Sequence, residues 1–215
     1  MESIPRHQCL IYQGAPSRLL PQMATATRDK LAQNFRCVYL NSPPMVAGMR
    51  SYLAAAGVDV EKMQTEGRLV LSSKLDHLLE GRFDGNGMIH TLEQAIQQAV
   101  QDGYAGLWAT GDMTWEMGPE RDFGGLLTYE RQLEELFGKY PQLSGICQYH
   151  AETLPHMVLR QALISHPAIY VNATLARLNP SYMRPEEYGR SFLESVDVDS
   201  ALVLAALSFR PNSIV

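Results

Sequence analysis

The chain has 215 residues, 46% of them hydrophobic and 19% charged, which supplies apolar surface for a sizeable core and excludes a disordered class. Its formal net charge of −5, with the 18 Lys and Arg spread along the chain, argues against a broad phosphate-binding face and so against direct contact with nucleic acid. Three cysteines within apolar segments fit a reducing cytoplasm better than a disulfide framework, and no apolar run approaches the ~20 residues of a membrane span.

His7 to Tyr12 forms a short β-prone run, closed by the glycine and proline of Gln13-Gly-Ala-Pro-Ser17. Leu19, Leu20, Met23, Ala24, Thr27 and Leu31 recur at three- and four-residue spacing and predict a helix over about 17–34. Arg36–Leu40 is a second strand, 45–56 a second helix ended by Gly57, and Arg68–Ser72 a third strand after a short excursion over 58–63. After the turn Phe83-Asp-Gly-Asn-Gly87, residues 88–101 carry Ile89, Leu92, Ala95, Ile96 and Ala99 on one helical face.

Residues 105–110 form a fourth strand, which stops at the glycine, acid and indole of Gly111-Asp-Met-Thr-Trp115, the pattern of a strand emptying into a site. An amphipathic helix over 123–137, a strand over 145–149, a helix over 154–165 broken by His166-Pro167 and a strand over 168–171 follow. An apolar helix is expected near 200–208.

Alternating strands and helices of these lengths imply one α/β domain over 1–215, three layers deep, with a mostly parallel sheet flanked by helices. Such sheets bind ligands beyond the carboxyl ends of their strands, which selects Tyr12, Gln13, Gly14, Asn41, Asp112, Tyr149 and His150.

Several short motifs, in this order and spacing, carry a resemblance. They are His7-x-Cys9-x-x-Tyr12, Cys37-Val-Tyr39, Ala109-Thr-Gly-Asp-Met-Thr-Trp115, Tyr129-Glu130, Cys147-Gln-Tyr149 and His166-Pro167. Together they resemble the MEDS domain, a sensory domain named after methanogen and methylotroph regulators, over about residues 5–170, with 171–215 an extension of the same domain. The resemblance implies an input module of prokaryotic signal transduction that senses a small organic molecule, on a core similar to the RecA and KaiC ATPases. It implies an output through a separate signalling protein, a kinase or a transcription regulator, and is compatible with a homodimer. Asp112 stands where the family usually has glutamate, one methylene longer. Family domains are often fused to an output domain, and none is expected within these residues.

A working phosphate loop needs Gly-x-x-x-x-Gly-Lys-Ser/Thr after the first strand, whereas this chain has Gly14-Ala-Pro-Ser-Arg18, with no second glycine or lysine and no amide donor at Pro16. The RecA- and KaiC-like core that the resemblance implies would then be a degenerate one, and retention of a nucleotide without hydrolysis is the alternative to a small organic ligand. Asp112 is either a polar anchor in a pocket beside Trp115 or the cap of the following helix. Glu130 either reaches the same mouth or is a solvated glutamate beside a core tyrosine. Trp108, mid-strand, belongs to the core, while Trp115 lies past the strand end as a ligand-facing ring.

No Gly-x-Ser-x-Gly, His-Glu-x-x-His or Cys-x-x-Cys occurs, so neither an enzyme nor a cofactor is expected. Assembling His7, Cys9, Cys147 and His150 into a zinc site fails on spacing. His7 opens its strand and His150 closes another, so the two lie roughly 16 Å apart along a parallel sheet, against zinc–ligand bonds of about 2.0–2.3 Å. Cys147 and His150 also face opposite sides of a regular strand, and no metal is expected.

Overall fold

Leu10 and Tyr12 point to one side of the first strand and Cys9 and Ile11 to the other, and this alternation divides the core into two layers of packing. In a computed structural model, which describes residues 5–118, 123–172 and 175–187, that strand is β1 (His7–Tyr12). A 3-10 turn over Pro16–Leu19 leads into α1 (Leu20–Ala32), then β2 (Phe35–Leu40), α2 (Pro43–Ala55), α3 (Val60–Thr65) and β3 (Leu69–Ser72). A small antiparallel hairpin, β4 (Leu78–Leu79) and β5 (Arg82–Phe83), precedes α4 (Gly85–Gln101). Next come β6 (Gly106–Asp112), α5 (Met113–Glu116), α6 (Leu126–Lys139), β7 (Leu143–His150) and α7 (His156–Ser165). The described part ends with β8 (Ala168–Asn172), β9 (Leu175–Leu178) and a 3-10 turn over Pro185–Glu187.

One sheet holds seven of these strands in the order β3-β2-β6-β7-β1-β8-β9. All pairings are parallel except β8 with β9. Parallel neighbours need crossovers, and the helices that make them cover both faces. On one face α1 and α2 pack Leu20, Met23, Met49 and Leu53 over Leu10, Tyr12, Cys37, Tyr39 and Trp108. On the other, α4, α6 and α7 pack over Cys9, Ile11, Leu107 and Tyr149. The apolar stripe of α4, Met88, Leu92, Ile96 and Ala99, repeats at the helical spacing that buries one side of a rod.

The expected α/β class and mostly parallel sheet are present. The β4–β5 hairpin and β9 were not foreseen: two-residue strands carry no period, and the antiparallel return of β9 needs no crossover helix to announce it. The fourth strand runs two residues further than expected, to Asp112, and residues 58–63 contribute to a true helical turn at α3. The apolar helix expected near 200–208 lies outside the described residues.

Candidate functional site

The carboxyl ends of β1, β2, β6 and β7 meet at a cleft of about 190 Å³ lined by Tyr12, Asn41, Asp112, Thr114, Trp115 and His150, among others. The register explains this convergence. Tyr12 pairs with His150 across β1 and β7, Asp112 ends the neighbouring strand beside Gln148, and Asn41 follows directly on β2. Asp112 caps the following helix and also lines the cleft beside Trp115. Its Oδ1 caps α5, accepting from the amides of Thr114 and Trp115 at 2.9 and 3.3 Å, while its Oδ2 accepts from the Tyr12 hydroxyl at 2.7 Å.

Around that pair, the His150 ring stacks on Tyr12 with centroids 4.8 Å apart, and Trp115 is half-buried against His77 at 4.9 Å. Asn41 donates from Nδ2 to the Tyr39 hydroxyl and accepts from the Ser42 amide. Burial, and then the Asp112 carboxylate, raise the pKa of Tyr12 and keep its hydroxyl a donor. A cleft with rings on its walls and a few convergent polar groups at its floor suits a small organic molecule. At about 190 Å³ it is smaller than the ~300 Å³ at which drug-sized sites begin.

Gln13 is exposed, and Gly14, left-handed at φ 79°, gives its amide to Glu152; neither lines the cleft, to which the turn after β1 contributes Pro16. Glu130 and Tyr149 are not in this cleft. Tyr149 is one residue out of phase with His150 and points to the opposite face of the sheet. Glu130, neither at the mouth nor solvated, falls on the buried stripe of α6 with Leu126, Tyr129 and Leu133. The two meet there, the Tyr149 hydroxyl donating to Oε1 of a wholly buried Glu130.

That contact belongs to a second constellation, which sequence reasoning missed. His7, Glu130, Cys147 and His166 bring one nitrogen, oxygen or sulfur atom each to within 4.8 Å of one another. The separations are 3.6 Å from His7 Nε2 to Glu130 Oε2, 3.5 Å from His166 Nε2 to the same oxygen, and 3.8 Å from His7 Nε2 to Cys147 Sγ. Behind the ring nitrogens, His7 Nδ1 lies 2.6 Å from Glu134 Oε2 and His166 Nδ1 2.7 Å from the Ala162 carbonyl. Burial opposes a charge on His7, but the Glu130 and Glu134 carboxylates outweigh it and raise its pKa. Burial and the neighbouring His7 push His166 down to about 4. Pairing with the two histidines lowers the pKa of Glu130 against the opposing effect of its burial.

The profile of the MEthanogen/methylotroph, DcmR Sensory domain (MEDS) matches residues 6–167. The chain belongs to the MEDS family. Among curated proteins it is similar to the transcriptional repressor DcmR of Methylorubrum extorquens, 24% identical over 164 residues, 76% of this chain and 59% of the repressor. The chain thus spans well under two thirds of that relative's length.

The matched region of this MEDS domain contains every element of both constellations, from β1 through the corner after α7. A signal for the buried cluster was present in the sequence. Glu130 lies four residues after Leu126 and three before Leu133, a carboxylate on an apolar stripe, and His7 shares the phase of Cys9 and Ile11. Glu116 was missed too. It lines a small apolar cavity of about 40 Å³ with Met88, Leu92, Met113 and Cys147, and burial, then Asp112 and Glu130, push its carboxyl up to about 8. Among the described residues no helix is long and apolar enough to cross a membrane.

Proposed function

We propose that this MEDS domain is a non-catalytic sensory module that binds a small organic molecule in the cleft between Tyr12, Asn41, Asp112, Trp115 and His150. The observation that carries this reading is the convergence of those five side chains, from the carboxyl ends of β1, β2, β6 and β7 and the segments that follow them, on one cleft in a chain of a sensory family. The Tyr12–Asp112 pair supplies the polar floor, and Trp115 and His150 the apolar walls. Asp112 also caps α5, so a ligand that competes for its carboxylate shifts the start of that helix and the segment after it. This gives occupancy a route to a separate partner, a kinase or a transcription regulator, and the repressor relative favours the second. A cytoplasmic setting and a homodimer are consistent with such a role.

The second reading, a degenerate RecA- or KaiC-like nucleotide-binding protein, draws support from the placement of β1 between β7 and β8 and of an acid at the end of β6. Against it stand Pro16 and Arg18 where amide donors and a lysine would hold phosphates. Native mass spectrometry of the purified chain separates the two. A retained small organic mass supports the sensory reading, and a retained nucleotide supports the second.

A further inference from the structure

We propose that His7, Glu130, Cys147 and His166 hold one divalent transition-metal ion, zinc by preference, in a closed four-coordinate site between β1, α6, β7 and the corner after α7. Bonds of about 2.0–2.3 Å place tetrahedral ligand atoms roughly 3.3–3.8 Å from each other. Three of the six separations, 3.5, 3.6 and 3.8 Å, fall in that interval, and all four atoms lie within 4.8 Å of one another, so small side-chain shifts close the set around an ion. A direct imidazole–carboxylate hydrogen bond would draw nitrogen and oxygen to under about 3.2 Å. Nothing of that length joins Glu130 Oε2 to either histidine, and this oxygen and His166 Nε2, both wholly buried, have no hydrogen-bond partner. Buried polar atoms aimed at one shared point, yet too far apart to satisfy each other, mark the place of a missing partner.

The surroundings orient the donors as metal sites require. The Glu134 carboxylate and the Ala162 carbonyl only accept, so Nδ1 of each histidine keeps its proton and Nε2 is the nitrogen turned inward, where it binds as a lone pair once any proton on it has left. Tyr149 occupies Glu130 Oε1 and leaves Oε2 free to bind through one oxygen. Asn179 fastens the His166 corner, donating from Nδ2 to the carbonyls of Leu163 and His166. When the ion enters, the thiol of Cys147 and the imidazolium form of His7 each lose a proton to solvent, leaving a thiolate and two neutral imidazoles as ligands. One thiolate and one carboxylate then balance the two positive charges, so the buried site is neutral. Sulfur, two imidazoles and a carboxylate in a tetrahedron suit zinc over calcium or magnesium, which prefer oxygen. A cleft of about 270 Å³ bordered by Pro5, Arg6, His7, Glu134 and Pro167 opens beside the histidine and provides the way in.

The spacing argument against a zinc site stands for the set it addressed, since His150 is at the far end of the sheet with Tyr12. His166 and Glu130, brought in by α7 and α6, complete the set at the His7 end instead.

The test is to express the full chain in zinc-depleted, cobalt-supplemented medium and record its metal content and absorption spectrum. About one cobalt per chain is expected, with the intense visible bands of a tetrahedral ion and a thiolate charge-transfer band in the near ultraviolet. Cys147→Ser should abolish that band, while Cys37→Ser, on the opposite face of the sheet, should keep it. Should Cys147→Ser not fold, Glu134→Gln keeps all four ligands, and its affinity should fall about 10–100-fold. Folded protein without stoichiometric cobalt, a pale six-coordinate spectrum, a charge-transfer band that survives Cys147→Ser, or an unchanged affinity in Glu134→Gln would overturn the proposal.

Discussion

The hydroxyl of Tyr12 donates a 2.7 Å hydrogen bond to Oδ2 of Asp112 across 100 residues of sequence, tying the end of the first strand to the acid that caps α5. Tyr12→Phe removes the donor and leaves a buried acceptor. The expected cost is about 1–3 kcal/mol in chemical denaturation. Combined with Asp112→Asn, the loss should be less than additive, because both changes break one bond.

Trp108 and Trp115 should behave in opposite ways. Trp108 is 3% exposed and packs in the core beneath α1 and α2, so Trp108→Ala should destabilise by about 3–5 kcal/mol. Trp115 is half-buried on the cleft wall, so Trp115→Ala should leave the fold standing and weaken ligand binding by about tenfold or more, as should Asp112→Asn. Unfolding by Trp115→Ala with no effect of Trp108→Ala would contradict the strand register.

A Cβ at Gly111 would overlap the carboxylate of the buried Glu116, so that side chain would have to move within the core. Gly111→Ala should therefore cost about 1–3 kcal/mol by overpacking. Glu116→Ala in the same chain should recover part of that loss in thermal unfolding, whereas an equal penalty in both backgrounds would place Glu116 elsewhere.

The same carboxyl predicts a pH effect. Its pKa in the folded protein, about 8, lies above its ordinary 4.5, so the folded state retains a proton that the unfolded chain has lost. Its stabilising contribution is complete below about 4.5 and disappears as pH rises through about 8. Urea denaturation at about pH 6 and about pH 9 should show a smaller loss of stability in Glu116→Gln than in the parent. Equal losses would show that the carboxylate is solvated.

Magnesium ATP should leave the melting temperature unchanged, since Pro16 and Arg18 stand in the turn after β1 where a phosphate cradle would need amides and a lysine. A ligand at a hundred times its dissociation constant adds roughly 2.7 kcal/mol, and a shift of that size with ATP would favour the nucleotide reading.

Most of this fold was legible because helical and strand periods are written in single stretches. The stripe of α4 and the alternation of β1 needed no knowledge of distant residues. Strand ends were legible as well, and with them Tyr12, Asn41, Asp112 and His150, since parallel strands set their carboxyl ends at one edge. The buried cluster was harder to read because its members come from elements that meet only in three dimensions. His166 read as a helix stop beside Pro167, and Cys147 as one more apolar strand residue. Glu130 sat on an apolar stripe, and a charge there signals a buried partner, but the stripe does not say which partner.

The most direct test of the sensory reading follows the two tryptophan indole N–H signals by nitrogen–proton correlation spectroscopy while small neutral organics are titrated into the labelled chain. A compound that binds the cleft should shift the Trp115 indole signal saturably and leave that of Trp108 in place. Asp112→Asn should weaken the same compound by about tenfold. A saturable compound that moves Trp108 or the residues around Cys147 and leaves Trp115 unmoved would contradict the assignment of the cleft as the sensing site.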